Sequence, residues 1–278
     1  MRYFLIIFCL CLASFSVSAH EDKESVFDRI LRSGKIECGY YVFPPVTNLN
    51  AEGELEGLSV DMMNEIASRA GLEVEWKEEI SFGNWAPALQ SDRFDLVCTP
   101  MWPEIPMTRT VYFSEPMFFA GLSPMVRVND KRFHDENFDR LNKGDVKFVT
   151  LEGNAIDTLT RATFPNAKIY SMPSTTDGPT MLQEIVTKKA DATLLDRNGE
   201  IYYNKNNPVK LKLVQKENPV KVQPFTLVIR RGEHDLLHFV DNAIRELRND
   251  KTIDRLLEKW EPEPFTYLRA SIPYGEIE

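Results

Sequence analysis

Cysteine is scarce in this chain, four residues in 278, and two of them, Cys9 and Cys11, fall inside an apolar run at the N-terminus. That scarcity excludes a small disulfide-stapled scaffold, and 13 glycines without a fixed period exclude a collagen-like repeat. Basic charge is in the minority: 33 Lys and Arg stand against 42 Asp and Glu, a formal charge of −9. A nucleic acid or an anionic membrane surface is therefore a poor partner. Beyond the N-terminal run, no stretch approaches the roughly 20 apolar residues that a membrane-spanning helix needs. The sequence has no Gly-rich phosphate loop, no Cys-x-x-Cys pair and no Gly-x-Ser-x-Gly elbow. His234 and His238 stand four apart on an expected helix, but spacing fixes no third ligand, so they read as solvated helix histidines and no metal or cofactor is expected.

What is present points to a globular protein. Hydrophobic residues make up 43% of the chain and charged ones 27%, enough to bury a large core in one large domain or two lobes. Arg2 precedes the apolar run Tyr3 to Ala13, and Val17-Ser18-Ala19 places small residues where signal peptidase cuts. Residues 1–19 are read as a cleavable secretory signal. The mature chain is then expected in an oxidising compartment, where Cys38 and Cys98 either form a disulfide or remain two buried thiols.

Strand-like and helix-like runs alternate, the pattern of a parallel α/β architecture. Strands are predicted at 35–40, 72–76 and 94–98, with helices over 59–70, closed by Gly71, and 85–90. A second block predicts strands at 146–150, 167–170 and 190–196, with one helix opened by Gly153-Asn154 and another over 179–189. The two blocks echo one another: Leu89-Gln90 precedes Asp95-Leu96, as Leu182-Gln183 precedes Asp191-Ala192. The strand 224–229 and two helices follow, carrying Leu237, Val240, Ile244 and Leu247, then Ile253, Leu256, Leu257 and Trp260. Pro262 and Pro264 stop the last of them. Residues 261–278 read as a tail with no assigned docking place.

One run of short motifs in a fixed order is more specific. Pro44-Pro45, Gly53-x-x-x-Gly57-Leu58-Ser59-Val60-Asp61, Pro87-Ala88-Leu89-Gln90, Phe113-Ser114-Glu115-Pro116, Ala190-Asp191-Ala192 and the closing Leu257-Glu258-Lys259-Trp260 resemble the family 3 extracellular solute-binding proteins, the polar amino-acid-binding class of ABC importers. The resemblance implies a two-lobed periplasmic-binding-protein fold of type II, each lobe a mainly parallel sheet flanked by helices, with two hinge crossovers near 119–124 and 220–225. Lobe 1 would comprise residues 20–120 and 223–260, lobe 2 residues 121–222, and the tail 261–278. The implied function is capture of a small polar solute, an amino acid or close relative, by a periplasmic monomer that delivers it to a membrane ABC permease. An enzyme on the same fold, similar to cyclohexadienyl dehydratases, is the rival reading, with Glu104, Glu152 or Asp196 as its acid. A ligand-sensing adaptor is a third.

Carried over by motif, the resemblance places Phe43 and Phe82 where two aromatic faces hold a ligand side chain, an arrangement that also suits a cation. Tyr40, Tyr41, Trp85 and Trp102 are weaker aromatic candidates, and core packing is their ordinary role. Gly153-Asn154 stands where backbone N–H groups at a helix start meet a carboxylate, although Asn154 serves equally as a helix cap. Asp196 stands where the family acid pairs with a ligand ammonium, and the carbonyl side of Thr99 and Pro100 completes that site. One position departs: the family's carboxylate-gripping Arg is replaced by Met107, and Trp102 stands for the preceding Thr. Arg109, two residues on, either enters the cleft through a rearranged loop or is a solvated surface residue.

Overall fold

The computed structural model describes residues 24–81, 83–134 and 138–270; the expected signal peptide and Phe82 lie outside them. The first half contains α1 (Val26–Ser33), β1 (Lys35–Tyr40), the short pair β2 (Asn48–Leu49) and β3 (Leu55–Glu56), α2 (Leu58–Arg69), β4 (Glu73–Glu79), α3 (Trp85–Gln90), β5 (Leu96–Met101) and β6 (Val111–Phe113). A ten-residue strand, β7 (Phe118–Arg127), leads to α4 (Phe138–Leu141), β8 (Lys147–Leu151), α5 (Ala155–Thr163), β9 (Lys168–Met172), α6 (Gly178–Val186), β10 (Ala192–Leu195), α7 (Arg197–Asn206) and β11 (Leu211–Leu213). The chain returns through β12 (Lys221–Arg230), α8 (His234–Asn249), α9 (Thr252–Trp260) and β13 (Leu268–Arg269).

Two parallel trios form the centres of the sheet, β4-β1-β5 and β10-β8-β9. The antiparallel pairings come mainly from the long strands: β12 pairs with β5 and β6, β7 with β10 and β11, and the two pair with each other from Lys221↔Leu122 to Phe225↔Phe118. Each long strand therefore starts in one group and ends in the other. Pro124 and Pro224 sit within these strands, opposite Leu194 and Phe119, and interrupt the local hydrophobic pattern.

Strand alternation divides the core. Leu96 and Cys98 point into a cluster with Ile36, Met63, Ile244 and Leu257, while Val97 points to the opposite face with Trp85, Leu89 and Phe94. In the second group Phe148 joins Leu122 and Leu194, and Val149 joins Met125 and Leu213. Both faces of each trio are thus covered, as parallel strands require. On α8 the buried positions are Leu236, Val240, Ile244 and Leu247; Leu236 takes the inward place expected of Leu237, which lies partly buried beside it.

The echo between the two blocks has a geometric basis. Asp95, just before β5, donates its N–H to Glu37 O at 2.8 Å and accepts from Glu37 N–H at 2.8 Å. Asp191, just before β10, donates to Lys147 O at 2.7 Å and accepts from Lys147 N–H at 3.0 Å. Each carboxylate also meets an arginine, Arg29 in the first case and Arg127 with Arg132 in the second. Cys38 of β1 and Cys98 of β5 form a disulfide, with Cα atoms 5.5 Å apart. The tail beyond α9 docks: β13 pairs with β7 through Leu268↔Phe119 and Arg269↔Phe118.

Candidate functional site

The ends of β1 and β5 build one wall. After β1 the chain turns through a cis Pro44-Pro45 bond, and Phe43 bridges to Thr47. The half-buried Phe43 ring lies 6.2 Å from Tyr41 and stacks on Phe225 of β12 at 6.5 Å. Tyr41 donates its hydroxyl to Pro100 O at 2.8 Å. The Thr99 hydroxyl donates to Tyr41 O at 3.1 Å and lies 2.9 Å from that of Thr47. Thr99 is therefore buried and engaged in joining β5 to the loop after β1, and the Pro100 carbonyl already accepts one hydrogen bond.

Trp102 sits edge-on to Phe225, with centroids 5.9 Å apart, and touches both the core of the first group and that of the second. Its Nε1 is buried with no hydrogen-bond partner among the described residues.

The opposite wall comes from the second group. Asp196 follows β10 and caps α7: Oδ1 accepts from Gly199 N–H at 2.8 Å, the usual role of an N-cap carboxylate. The residue is 2% exposed, and Oδ2 has no partner among the described residues. Burial pushes its pKa up to about 6, against the lowering effect of the backbone N–H bonds. Within the first turn of α7, Asn198 donates Nδ2–H to Pro44 O at 3.0 Å, and Arg197 pairs with Glu263 at 2.7 Å, so the start of α7 is tied to the first group and to the tail.

Gly153 adopts φ +74° with open space around it, and the conformation suits glycine. Asn154 caps α5 by accepting from Asp157 N–H at 2.8 Å, which is the capping alternative. Arg109 ends a 3₁₀ turn over Ile105–Arg109 and its side chain is exposed, the second of the two positions open to it. Met107 packs beside Trp85, Leu89 and Val111. Trp85 belongs to that core and Tyr40 sits edge-on to Trp76 at 5.8 Å. Burial raises the pKa of Glu104 against the pull of Lys221, while Glu152 is exposed. His234 lies 3.3 Å from the Tyr112 hydroxyl. No group of three or more metal-ligating side chains occurs, and no helix is long and apolar enough to cross a membrane, among the described residues.

The structure therefore brings Phe43, Trp102 and Asp196 to the junction of the two groups, with Thr99 and Pro100 behind them. It leaves Arg109 in solvent. Tyr41 and Tyr267 are the residues the sequence did not single out as strong candidates. The negative charge of Asp196 acts with burial to raise both phenols above their ordinary range, which places all three groups in one neighbourhood.

Comparison with known proteins agrees with this architecture. The L-cystine-binding protein TcyJ of Escherichia coli K12 is 26% identical over 258 residues, covering 90% of each chain. A solved ancestral amino acid-binding protein, described as a precursor of cyclohexadienyl dehydratase, superposes with a TM-score of 0.70 at 28% identity over 85% of this chain and 99% of its own. A putative ABC-transporter binding component from Wolinella succinogenes, complexed with lysine, gives 0.71 at 21% identity over 83% and 97%, a likeness of fold. Residues 36–263 match one family directly: the chain belongs to the bacterial extracellular solute-binding proteins, family 3.

Proposed function

We propose that this chain captures a small polar solute bearing an ammonium group, an amino acid or close relative, and delivers it to an ABC importer. In this reading lobe 1 comprises residues 20–120 and 223–260 and lobe 2 residues 121–222, and the protein works as a periplasmic monomer. The solute meets Phe43, Trp102 and the Pro100 carbonyl first; hinge motion along β7 and β12 then brings up Asp196 and the start of α5. Closure excludes water and strengthens the charged hydrogen bond, and the permease reads the closed shape.

The observation that carries this reading is the buried Asp196 carboxylate, one oxygen of which has no hydrogen-bond partner among the described residues. A buried charge of this kind needs a partner, and a ligand ammonium supplies one. Arg109 has no part in the proposal. The test is a thermal-shift screen of residues 20–278, refolded to strip carried ligand, against the twenty amino acids, L-cystine, simple amines and small carboxylates. A ligand at ~100 times its Kd adds about 2.7 kcal/mol of stability, so a clear shift with an ammonium-bearing compound is expected, and shifts with carboxylates alone would overturn the reading.

Catalysis on the same fold has one observation in its favour, the Asp196 carboxyl held near neutral pH, where acid–base groups operate. Turnover of prephenate would establish it; tight binding of an amino acid without turnover excludes it.

A further inference from the structure

The family match ends at residue 263, yet the chain beyond it is built into the junction. Its backbone is fastened by β13 on β7, by a two-pronged ion pair of Arg269 with Glu261 at 2.8 Å, and by the Thr266 hydroxyl donating to Glu263 O at 2.7 Å. These contacts drive the Tyr267 ring between the crossover aromatics, 4.9 Å from Phe118 and 5.9 Å from Phe225. Phe225 is also the ring against which Phe43 and Trp102 pack, so Tyr267 joins the same aromatic cluster.

Tyr267 is fully buried, and its hydroxyl has no partner among the described residues. The same holds for Trp102 Nε1 and Asp196 Oδ2. A buried hydroxyl without a hydrogen bond costs free energy in the empty protein. Three such atoms at one junction form a complementary set: an anionic acceptor, an indole N–H donor and a phenol able to donate. If Tyr267 were only a hydrophobic plug, phenylalanine would fill the place without that cost.

We propose that Tyr267, supplied by the C-terminal segment, is a ligand-contacting and specificity-determining residue whose O–H donates to an acceptor atom of the solute held on Asp196. This inference rests on the solute-binding reading above. Its donor is neutral, as is Trp102 Nε1–H, so the acceptor end of the solute is held without a guanidinium, consistent with Met107 packed against the core and Arg109 in solvent. The favoured solutes carry an ammonium with a carbonyl, carboxylate or hydroxyl oxygen close by, and amines lacking that oxygen bind less well.

The test is Tyr267→Phe in the mature chain, which keeps the ring packing and deletes one oxygen. Calorimetry is run with whichever of the twenty amino acids or L-cystine gives the largest thermal shift on the wild type. The expected result is about a tenfold weaker Kd, with the melting temperature of the empty protein unchanged or raised because no protein hydrogen bond is lost. Equal affinity for the two proteins would overturn the inference and leave the solute-binding reading intact. A lowered melting temperature of the empty variant with unchanged Kd would make Tyr267 a structural residue. Absence of any wild-type binding across the panel would reject the solute-binding reading and this inference together.

Discussion

Strand β10 has an aspartate at each end, and the two could hardly be treated more differently. At its start, Asp191 accepts from Arg127 at 3.0 Å, from Arg132 at 2.5 Å and from the Lys147 N–H at 3.0 Å. Burial works against ionisation there, but these hydrogen bonds hold its carboxyl below the usual range. At its end, Asp196 accepts from the Gly199 N–H on one oxygen, the other has no partner among the described residues, and burial drives its pKa up. A carboxylate saturated by its own fold stabilises structure; one left half-satisfied in a dry place is held ready for something from outside.

The sharpest test of that contrast is Asp196→Asn, which keeps the cap acceptor and removes the charge. Affinity for an ammonium-bearing solute is expected to fall about 100-fold while the empty protein stays folded; calorimetry beside a melting curve reads both. Asp191→Ala should do the reverse. It strips two partly buried arginines of a shared partner, with Asp130 still at hand, so urea unfolding should show a loss of about 2 kcal/mol with little change in Kd for the folded fraction.

Next in size is the effect of pH. Because the folded pKa of Asp196 lies above the unfolded value, ionisation destabilises the empty protein: the penalty is absent below pH ~4, grows as pH rises and is complete above about 6. Ligand affinity runs the other way, since the ammonium needs the ionised form. Kd measured at pH 5 should be about ten times weaker than at pH 7, and Asp196→Asn should flatten that dependence. Arg109→Ala is the smallest expected effect, under about twofold in Kd; a tenfold loss would place its guanidinium in the cleft and break the contrast between a fold-saturated and a ligand-saturated carboxylate.

Much of the fold was legible because local signals agreed with the final topology. The bounds of β1 and α3 follow directly from their runs, and the Asp95 and Asp191 echo corresponds to one repeated hydrogen-bond device. The full length of β7 and β12 was not legible: the expected strand began only at Pro224 and none was expected over 118–127, whereas pairing with partner strands orders both segments over ten residues. The cysteine pair could not be decided from residues 60 apart in sequence; it required β1 and β5 to be neighbours. Asp196 was singled out through motif order. Tyr267 was not, because a lone tyrosine between two prolines and the C-terminus carries no periodicity, and its position depends on strand pairing with a residue about 150 places earlier.

The Cys38–Cys98 bridge ties together the two strands from which the aromatic wall springs, one carrying Tyr41 and Phe43 and the other Thr99 to Trp102. Those loops therefore cannot slide past one another when the solute leaves. The conformational freedom that would otherwise be lost at every capture is removed once, when the thiols are oxidised, so one half of the receptor is a rigid template and only the other half has to find it.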